Sequence, residues 1–234
     1  MIKPTTTEVL HAVLDDAAGG ATLIECAAAL AHALRRSLEL VHVENLVALH
    51  AAALPRTRAL AHAGANWEAF APEDVERGWR AQAARLRALA GDIAPRHAVT
   101  WSLRSVRGRW PRTAMELTED VDLLFVGALP GVMGSNGAPG LRMSAASGSR
   151  RPSAADLRSV VLLDDGSEAA ERAQPFASEL SRTLHAPLQV WRLDADSDAA
   201  IRQRLRNATV CVLPRMLATP ARLAQATCPL LLVA

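Results

Sequence analysis

The chain has 234 residues, of which 50% are apolar and 21% charged, as in an ordinary globular protein with one large domain or two small ones. Its formal net charge of +2 is too small to predict nucleic-acid binding, and no apolar run is long enough to cross a bilayer. The three cysteines are far apart and odd in number, which argues against a disulfide framework and against a zinc site.

The first residues, MIKPTTTEVLHAVLDD, lack the apolar core of a signal peptide. We therefore expect a cytoplasmic protein with no membrane partner. Cys26 is predicted on a helix and Cys211 in a strand, where both would act as small buried hydrophobic residues. The five tryptophans are scattered along the chain, which favours core positions over a platform for stacking bases.

A strand, a helix and a second strand open the chain. Val9 to Leu14 is a predicted strand that ends in Asp15 and Asp16, and Leu38 to Val43 is the second strand. The order implies a right-handed parallel crossover. The helix between them is indicated by apolar residues at helical spacing, which are Leu23, Ala27, Leu30 and Leu34.

The next part of the first half is less regular. Residues 46 to 71 allow a helix at Leu46 to Leu54, and we interpret them as a variable insertion. A clear amphipathic helix then begins at Pro72 and is predicted to stop at Gly91. The alternation of Val99, Trp101 and Leu103 with polar residues predicts a third strand near an edge of the sheet.

A glycine-rich stretch follows the fourth predicted strand. Leu123 to Val126 is an apolar run typical of a strand buried on both faces. In an open α/β sheet, ligands bind at the carboxyl ends of the strands, so the glycines after this strand could hold a phosphate. A linker between domains explains the same composition. The glycines are Gly127, Gly131, Gly134, Gly137 and Gly140.

The second half starts again with a strand at Val160 to Leu163, which ends in Asp164 and Asp165. A helix follows, and Pro175 inside it should bend or destabilise it. The remaining predicted elements, in order, are a strand at Leu188 to Leu193, a helix at Ala199 to Leu205, a strand at Val210 to Leu213, a helix at Pro220 to Ala226 and a strand at Pro229 to Val233.

Two segments share the order of strand, paired aspartates, alanine-rich helix and strand: AVLDDAAGGATLIECAAALAHALRRSLELVHV and VVLLDDGSEAAERAQPFASELSRTLHAPLQVWRL. The second segment resembles the opening of a universal stress protein domain. CPLLLVA at the end of the chain resembles the closing strand of that family, and AMELTEDVDLLFVG is similar to its fourth unit.

The resemblance implies an α/β fold class, a Rossmann-like parallel sheet sandwich built from two universal-stress-protein-like repeats. The family has five parallel strands per copy, but residues 145 to 158 contain no apolar run that would supply a fifth strand to repeat 1. Repeat 1 would span residues 1–144 with the insertion at 46–71, and residues 145–158 would be a linker. Residues 159–234 would form a shortened repeat 2.

Nucleotide-binding members of the family have an aspartate that faces adenine and a G-x2-G-x9-G-S/T loop after the fourth strand. The resemblance therefore implies ATP or another adenine nucleotide as ligand, without a metal, in repeat 1 only. Pro130 shifts the first glycine spacing by one, and repeat 2 has Pro214 where the loop would start. The residues carried over are Asp16, Val43, Gly127, Gly131 and Gly134, with Ser144 where the family has glycine.

Alternatives to a ligand site stay open for these residues. Asp16 and Asp165 could cap a helix or be solvated in a turn, and His42 and His185 fit structural roles. Gly166 and Ser167 do not form a G-x-S-x-G motif, and Lys3 is the only lysine, so we do not expect an enzyme.

The expected function is a regulatory module of the stress response, and the alternative is an adaptor that binds other proteins but no nucleotide. In the family, the closing strand mediates pairing between domains. Leu230 to Val233 is therefore expected to pair the two repeats within one chain or to form a homodimer, because an apolar edge strand needs covering. The protein partner of the adaptor is unknown.

Overall fold

An eight-stranded sheet with helices on both faces is the centre of the computed structural model. The α/β fold class predicted from the sequence is confirmed. The structure describes residues 9–15, 19–55, 57–60, 67–110, 112–119, 121–127, 159–193, 205 and 208–234.

The strands are β1 (Val9–Leu14), β2 (Ser37–Asn45), β3 (Arg58–Leu60), β4 (Trp67–Ala69), β5 (Trp101–Gly108), β6 (Leu123–Val126), β7 (Val160–Asp164), β8 (Leu188–Arg192), β9 (Val210–Pro214) and β10 (Leu230–Val233). The α-helices are α1 (Gly20–Leu34), α2 (Leu46–Ala52), α3 (Pro72–Ile93), α4 (Arg112–Thr118), α5 (Glu168–Leu184) and α6 (Pro220–Gln225). Short 3₁₀ helices cover Ala94–His97 and Arg215–Leu217.

The strand order in the sheet is β5-β2-β1-β6-β10-β9-β7-β8, and β3 pairs with β4 in a separate hairpin. All neighbours in the large sheet are parallel except β6 and β10, which are antiparallel. We call β5-β2-β1-β6 the first half-sheet and β10-β9-β7-β8 the second. Because their strands run in opposite directions, the carboxyl ends of the two half-sheets lie at opposite edges.

Three long helices, α1, α3 and α5, cover one face of the sheet, and α1 contacts both of the others. The alanine-rich sequence of α1 permits this close packing, and Ala27 to Ala31 have no exposed surface. Cys26 and Cys211 are also fully buried, as predicted, and burial raises the pKa of both thiols. One apolar cluster on this face joins residues of both half-sheets.

The opposite face carries the shorter helices α4 and α6. Its apolar cluster includes Trp110 and Ala114 beside the first half-sheet and Leu223 beside the second. Between the two faces, the strands β6, β9 and β10 are buried along their whole length. The prediction that Leu123 to Val126 is buried on both sides is therefore confirmed.

The two half-sheets join through β10 and β6 of the same chain, where Leu231 lies opposite Phe125. Near this junction, the Arg36 guanidinium donates to the Asp122 carboxylate at 3.0 Å and 2.8 Å. Burial opposes ionisation of Asp122, but the hydrogen bond and the charge of Arg36 outweigh it and hold the pKa of Asp122 below its usual range. A homodimer through Leu230 to Val233 stays a prediction.

Helix α3 ends later than predicted. Gly91 was expected to stop it, but the helix continues to Ile93 because Ala90, Ile93 and Ala94 remain buried against the core. A methyl group added at Gly91 would meet nothing closer than a Trp101 ring carbon at 3.9 Å, so a side chain would fit there without a clash.

Other boundaries differ by smaller amounts. α2 ends at Ala52, two residues before the predicted Leu54, and β5 starts at Trp101 and occupies the edge position that was predicted for it. α5 runs from Glu168 to Leu184 without interruption at Pro175. None of the described helices has the length and apolar character required to span a membrane.

Candidate functional site

The carboxyl edge of the first half-sheet contains the point where the chain changes direction across the sheet. From β1 the chain passes through α1 to β2 on one side, whereas β6 lies on the other side of β1. In open α/β sheets such a point leaves a crevice between neighbouring strand ends, and ligands bind there. Asp15 and Gly127 follow the two strands that border it.

Gly127 lies directly against β1. Its N–H donates to the Val13 carbonyl at 2.8 Å, which extends the pairing of β6 with β1 by one residue. A Cβ atom at this position would stand 3.3 Å from Leu14 Cβ and 3.4 Å from the Val13 carbonyl oxygen. Close packing of the two strands therefore already favours glycine here.

Helix α1 begins at the same edge. The first N–H groups of a helix have no partner within the helix and are commonly satisfied by a capping side chain or an anion. Gly19 stands at the N-cap position, where it offers no side chain, and the first turn contains no acidic residue. Within the described residues, no side chain caps this helix end.

The corresponding helix of the second half-sheet, α5, has a closed amino terminus. The Ser167 hydroxyl accepts from the Ala170 N–H at 3.2 Å and donates to the Asp165 carboxylate at 2.6 Å. These bonds, with the Ser167 N–H, hold the pKa of Asp165 below its usual range. The Gly166 N–H donates to Asp164 at 2.8 Å, so this turn satisfies its own polar groups.

Two acidic residues, Glu168 and Glu171, also stand in the first turn of α5. Their charges favour the helix dipole and oppose a bound anion. Asp165 thus serves the turn and the helix cap, which was the structural alternative to a ligand contact. The two helix starts therefore differ, because α1 has no acidic residue in its first turn and no side chain among the described residues caps it.

His42 is part of a buried hydrogen-bond network at the carboxyl edge of the first half-sheet, which we call the first edge. It lies on the face covered by α3. Its Nδ1 lies 3.3 Å from Ser105 Oγ and its Nε2 lies 3.4 Å from Gln82 Oε1, so neighbouring groups occupy both ring nitrogens. The side chain has no exposed surface. This environment supports the structural role that was expected for His42.

A second polar group lies next to it, at the carboxyl ends of β2 and β5. Arg107 donates to Glu44 at 3.0 Å and to Glu76 at 3.2 Å, and its guanidinium lies 5.5 Å from the centre of the Trp79 ring. These contacts tie α3 to the sheet. They also pair the charge of Arg107 with two carboxylates.

Only two of the predicted site residues are among those described. Gly127 lies at the edge between β1 and β6, and Val43 lies on β2 in register with Val106 and is fully buried. The others lie outside the described residues: Asp16, Gly131, Gly134 and Ser144. No group of three His, Cys, Asp or Glu side chains suited to a metal occurs in the part of the chain that is described.

Trp110 is a residue of this edge that the sequence did not single out. It follows the end of β5 by two residues and is 8% exposed. Its indole N–H is buried and has no hydrogen-bond acceptor among the described residues. A buried donor without a partner is uncommon in native proteins. Tryptophan in sequence is usually a core residue, and no pattern revealed an unpaired donor.

No protein-family model matches this sequence, and no curated protein is significantly similar to it. Among solved structures, the chain is similar to a universal stress protein from Archaeoglobus fulgidus DSM 4304. The TM-score is 0.45 and the sequences are 8% identical over 97% of this chain and 98% of the other. Similarity at this level supports no conclusion about ligands or activity.

Proposed function

We propose that the chain is a universal-stress-protein-like regulatory module that binds one adenine nucleotide, without a metal, at the carboxyl edge of the first half-sheet. It would act in the cytoplasm without catalysing a reaction. Its two half-sheets would correspond to two repeats, of which the second has lost nucleotide binding. The proposal continues the sequence resemblance, which names Asp16, Val43 and the glycine-rich stretch from Gly127 as ligand contacts.

The observation that supports it is the difference between the two helix starts. The amino terminus of α1 lies at the edge that contains the crevice, its first turn has no acidic residue, and no side chain among the described residues caps it. The amino terminus of α5 is capped by Ser167 and carries Glu168 and Glu171. A phosphate group is attracted to the first kind of helix end and repelled by the second.

Two substitutions at Thr22 test this directly. Thr22 is the third residue of α1 and is half-buried. A carboxylate there resembles the acidic first turn of α5, so Thr22→Glu should weaken ATP binding about tenfold or more, while leaving the helix at least as stable. Thr22→Gln has nearly the same size without the charge and should bind ATP like the original chain. Isothermal titration calorimetry measures both.

Equal affinities of the Thr22→Glu and Thr22→Gln variants for ATP would contradict a phosphate at this helix end. Asp16→Ala tests the other implied contact, and it should reduce affinity for ATP more than for inorganic tripolyphosphate, since the aspartate is expected to face the base. Equal losses for the two ligands would count against that role.

The second candidate is the adaptor that binds proteins only. The packing of Gly127 favours it, because contact with Leu14 and Val13 explains that glycine without a ligand. Under this alternative, ATP produces no heat with the original chain, and the protein carries no nucleotide when purified. A saturable ATP titration rules it out.

A further inference from the structure

We infer that the Trp110 indole N–H is a donor that recognises the purine base of the nucleotide. The inference rests on the proposed function and adds a specificity-determining residue to it. It starts from an observation independent of the α1 helix end, namely the buried and unpaired Nε1 atom of Trp110.

Trp110 lies at the same edge as the crevice. β5 is parallel to β2, and Gly108 at the end of β5 pairs with Asn45 at the end of β2. The indole therefore follows the carboxyl end of a strand in the first half-sheet. In the apolar cluster on this face it is joined by Val43 and by Val13 and Val126, near the ends of β1 and β6.

The surroundings define the chemistry of the acceptor. The cluster that contains Trp110 is rich in branched aliphatic side chains, and such a setting with one N–H donor suits a flat molecule with apolar faces and a hydrogen-bond acceptor in the plane of its ring. A purine has both features, because its ring nitrogens accept hydrogen bonds and its faces are apolar. A phosphate has no apolar surface to bury and suits the uncapped start of α1 instead.

An unpaired buried donor also lowers the stability of the free protein, because on folding the indole N–H loses its hydrogen bond to water and gains no other. A base that supplies the acceptor removes this cost on binding. The donor is shielded from water, and Ala114 of α4 belongs to the same cluster. Because the donor is buried, entry of the base requires neighbouring side chains or α4, a helix of 7 residues, to move.

Trp110→Phe is the test, because phenylalanine keeps an aromatic ring and lacks the N–H. We expect its affinity for ATP to fall about threefold to tenfold, the usual effect of one neutral hydrogen bond. Its affinity for inorganic tripolyphosphate should not change, which also shows that the variant is folded. Trp101→Phe is the matched control, because Trp101 stands at the opposite end of the same strand.

Each result has a distinct meaning. If the original chain binds ATP and Trp110→Phe binds it equally well, the role of Trp110 is wrong and the proposed function stands. Equal losses for ATP and tripolyphosphate would overturn base recognition, because the substitution would then have damaged the whole site. If the original chain binds neither ligand, both the inference and the proposed function fail.

Discussion

Gly166 and Gly91 differ in whether their backbone conformation requires glycine. Gly166 follows β7 with a φ of +75°, a left-handed conformation that strains residues with a side chain, although nothing lies within 4 Å of an added Cβ. Gly91 lies in the last turn of α3, where an added Cβ also has space and no positive φ is required. At both positions, the backbone conformation rather than side-chain packing therefore decides whether alanine stabilises or destabilises the protein.

Gly91→Ala should therefore stabilise the protein by about 0.5–1 kcal/mol, because alanine loses less backbone entropy in a helix. Gly166→Ala should destabilise it by about 1–2 kcal/mol through the strain of the left-handed conformation. Urea unfolding of each single variant measures the free energy of unfolding. Changes of the same sign in both variants would contradict this account of the two sites.

At the scale of single elements, buried apolar runs predicted the strands well, because β6, β7 and β10 have apolar residues on both faces. The end of α3 was predicted incorrectly, since a glycine signal was outweighed by the burial of Ile93 and Ala94. The hairpin of β3 and β4 has strands of 3 residues, too short for alternation to reveal.

The sequence was less informative about which strands are neighbours in the sheet. The apolar sequence of Leu230 to Val233 indicated that this strand needs a partner, but no local pattern could name β6 as its antiparallel neighbour. The candidate site was predictable only where a strand end preceded a glycine or an aspartate. Trp110 was missed because its unpaired N–H arises from the packing of distant residues.

The contact between β6 and β10 is expected to be a main source of stability, since it joins the two half-sheets. Leu231 is fully buried opposite Phe125, so Leu231→Ala should lower the free energy of unfolding by about 2–5 kcal/mol. Val190→Ala is the control, because Val190 is 48% exposed on the edge strand β8 and should change stability by no more than about 0.5 kcal/mol. Chemical denaturation compares the two.

A loss for Leu231→Ala as small as that for Val190→Ala would mean that the junction contributes little. Both substitutions shorten an aliphatic side chain in a strand of the same sheet, and the two positions differ chiefly in burial.

For the whole molecule, the antiparallel junction places the carboxyl ends of the two half-sheets at opposite edges, and their chemistry differs. The first edge presents a helix start that no side chain among the described residues caps, a close approach of Gly127 to β1 and the buried donor of Trp110. At the second edge, the equivalent helix start is closed: Ser167 caps α5 and donates to Asp165, and the first turn of α5 is acidic. We therefore expect one nucleotide site per chain, at the first edge.

The number of ATP molecules bound per chain tests this claim most directly. Isothermal titration of the full chain with ATP gives that number together with the affinity, and nucleotide content measured before titration corrects for ligand already bound. The account predicts one ATP per chain. Two per chain would show that the second edge also binds nucleotide, and none, from protein free of nucleotide, would show that the first edge does not.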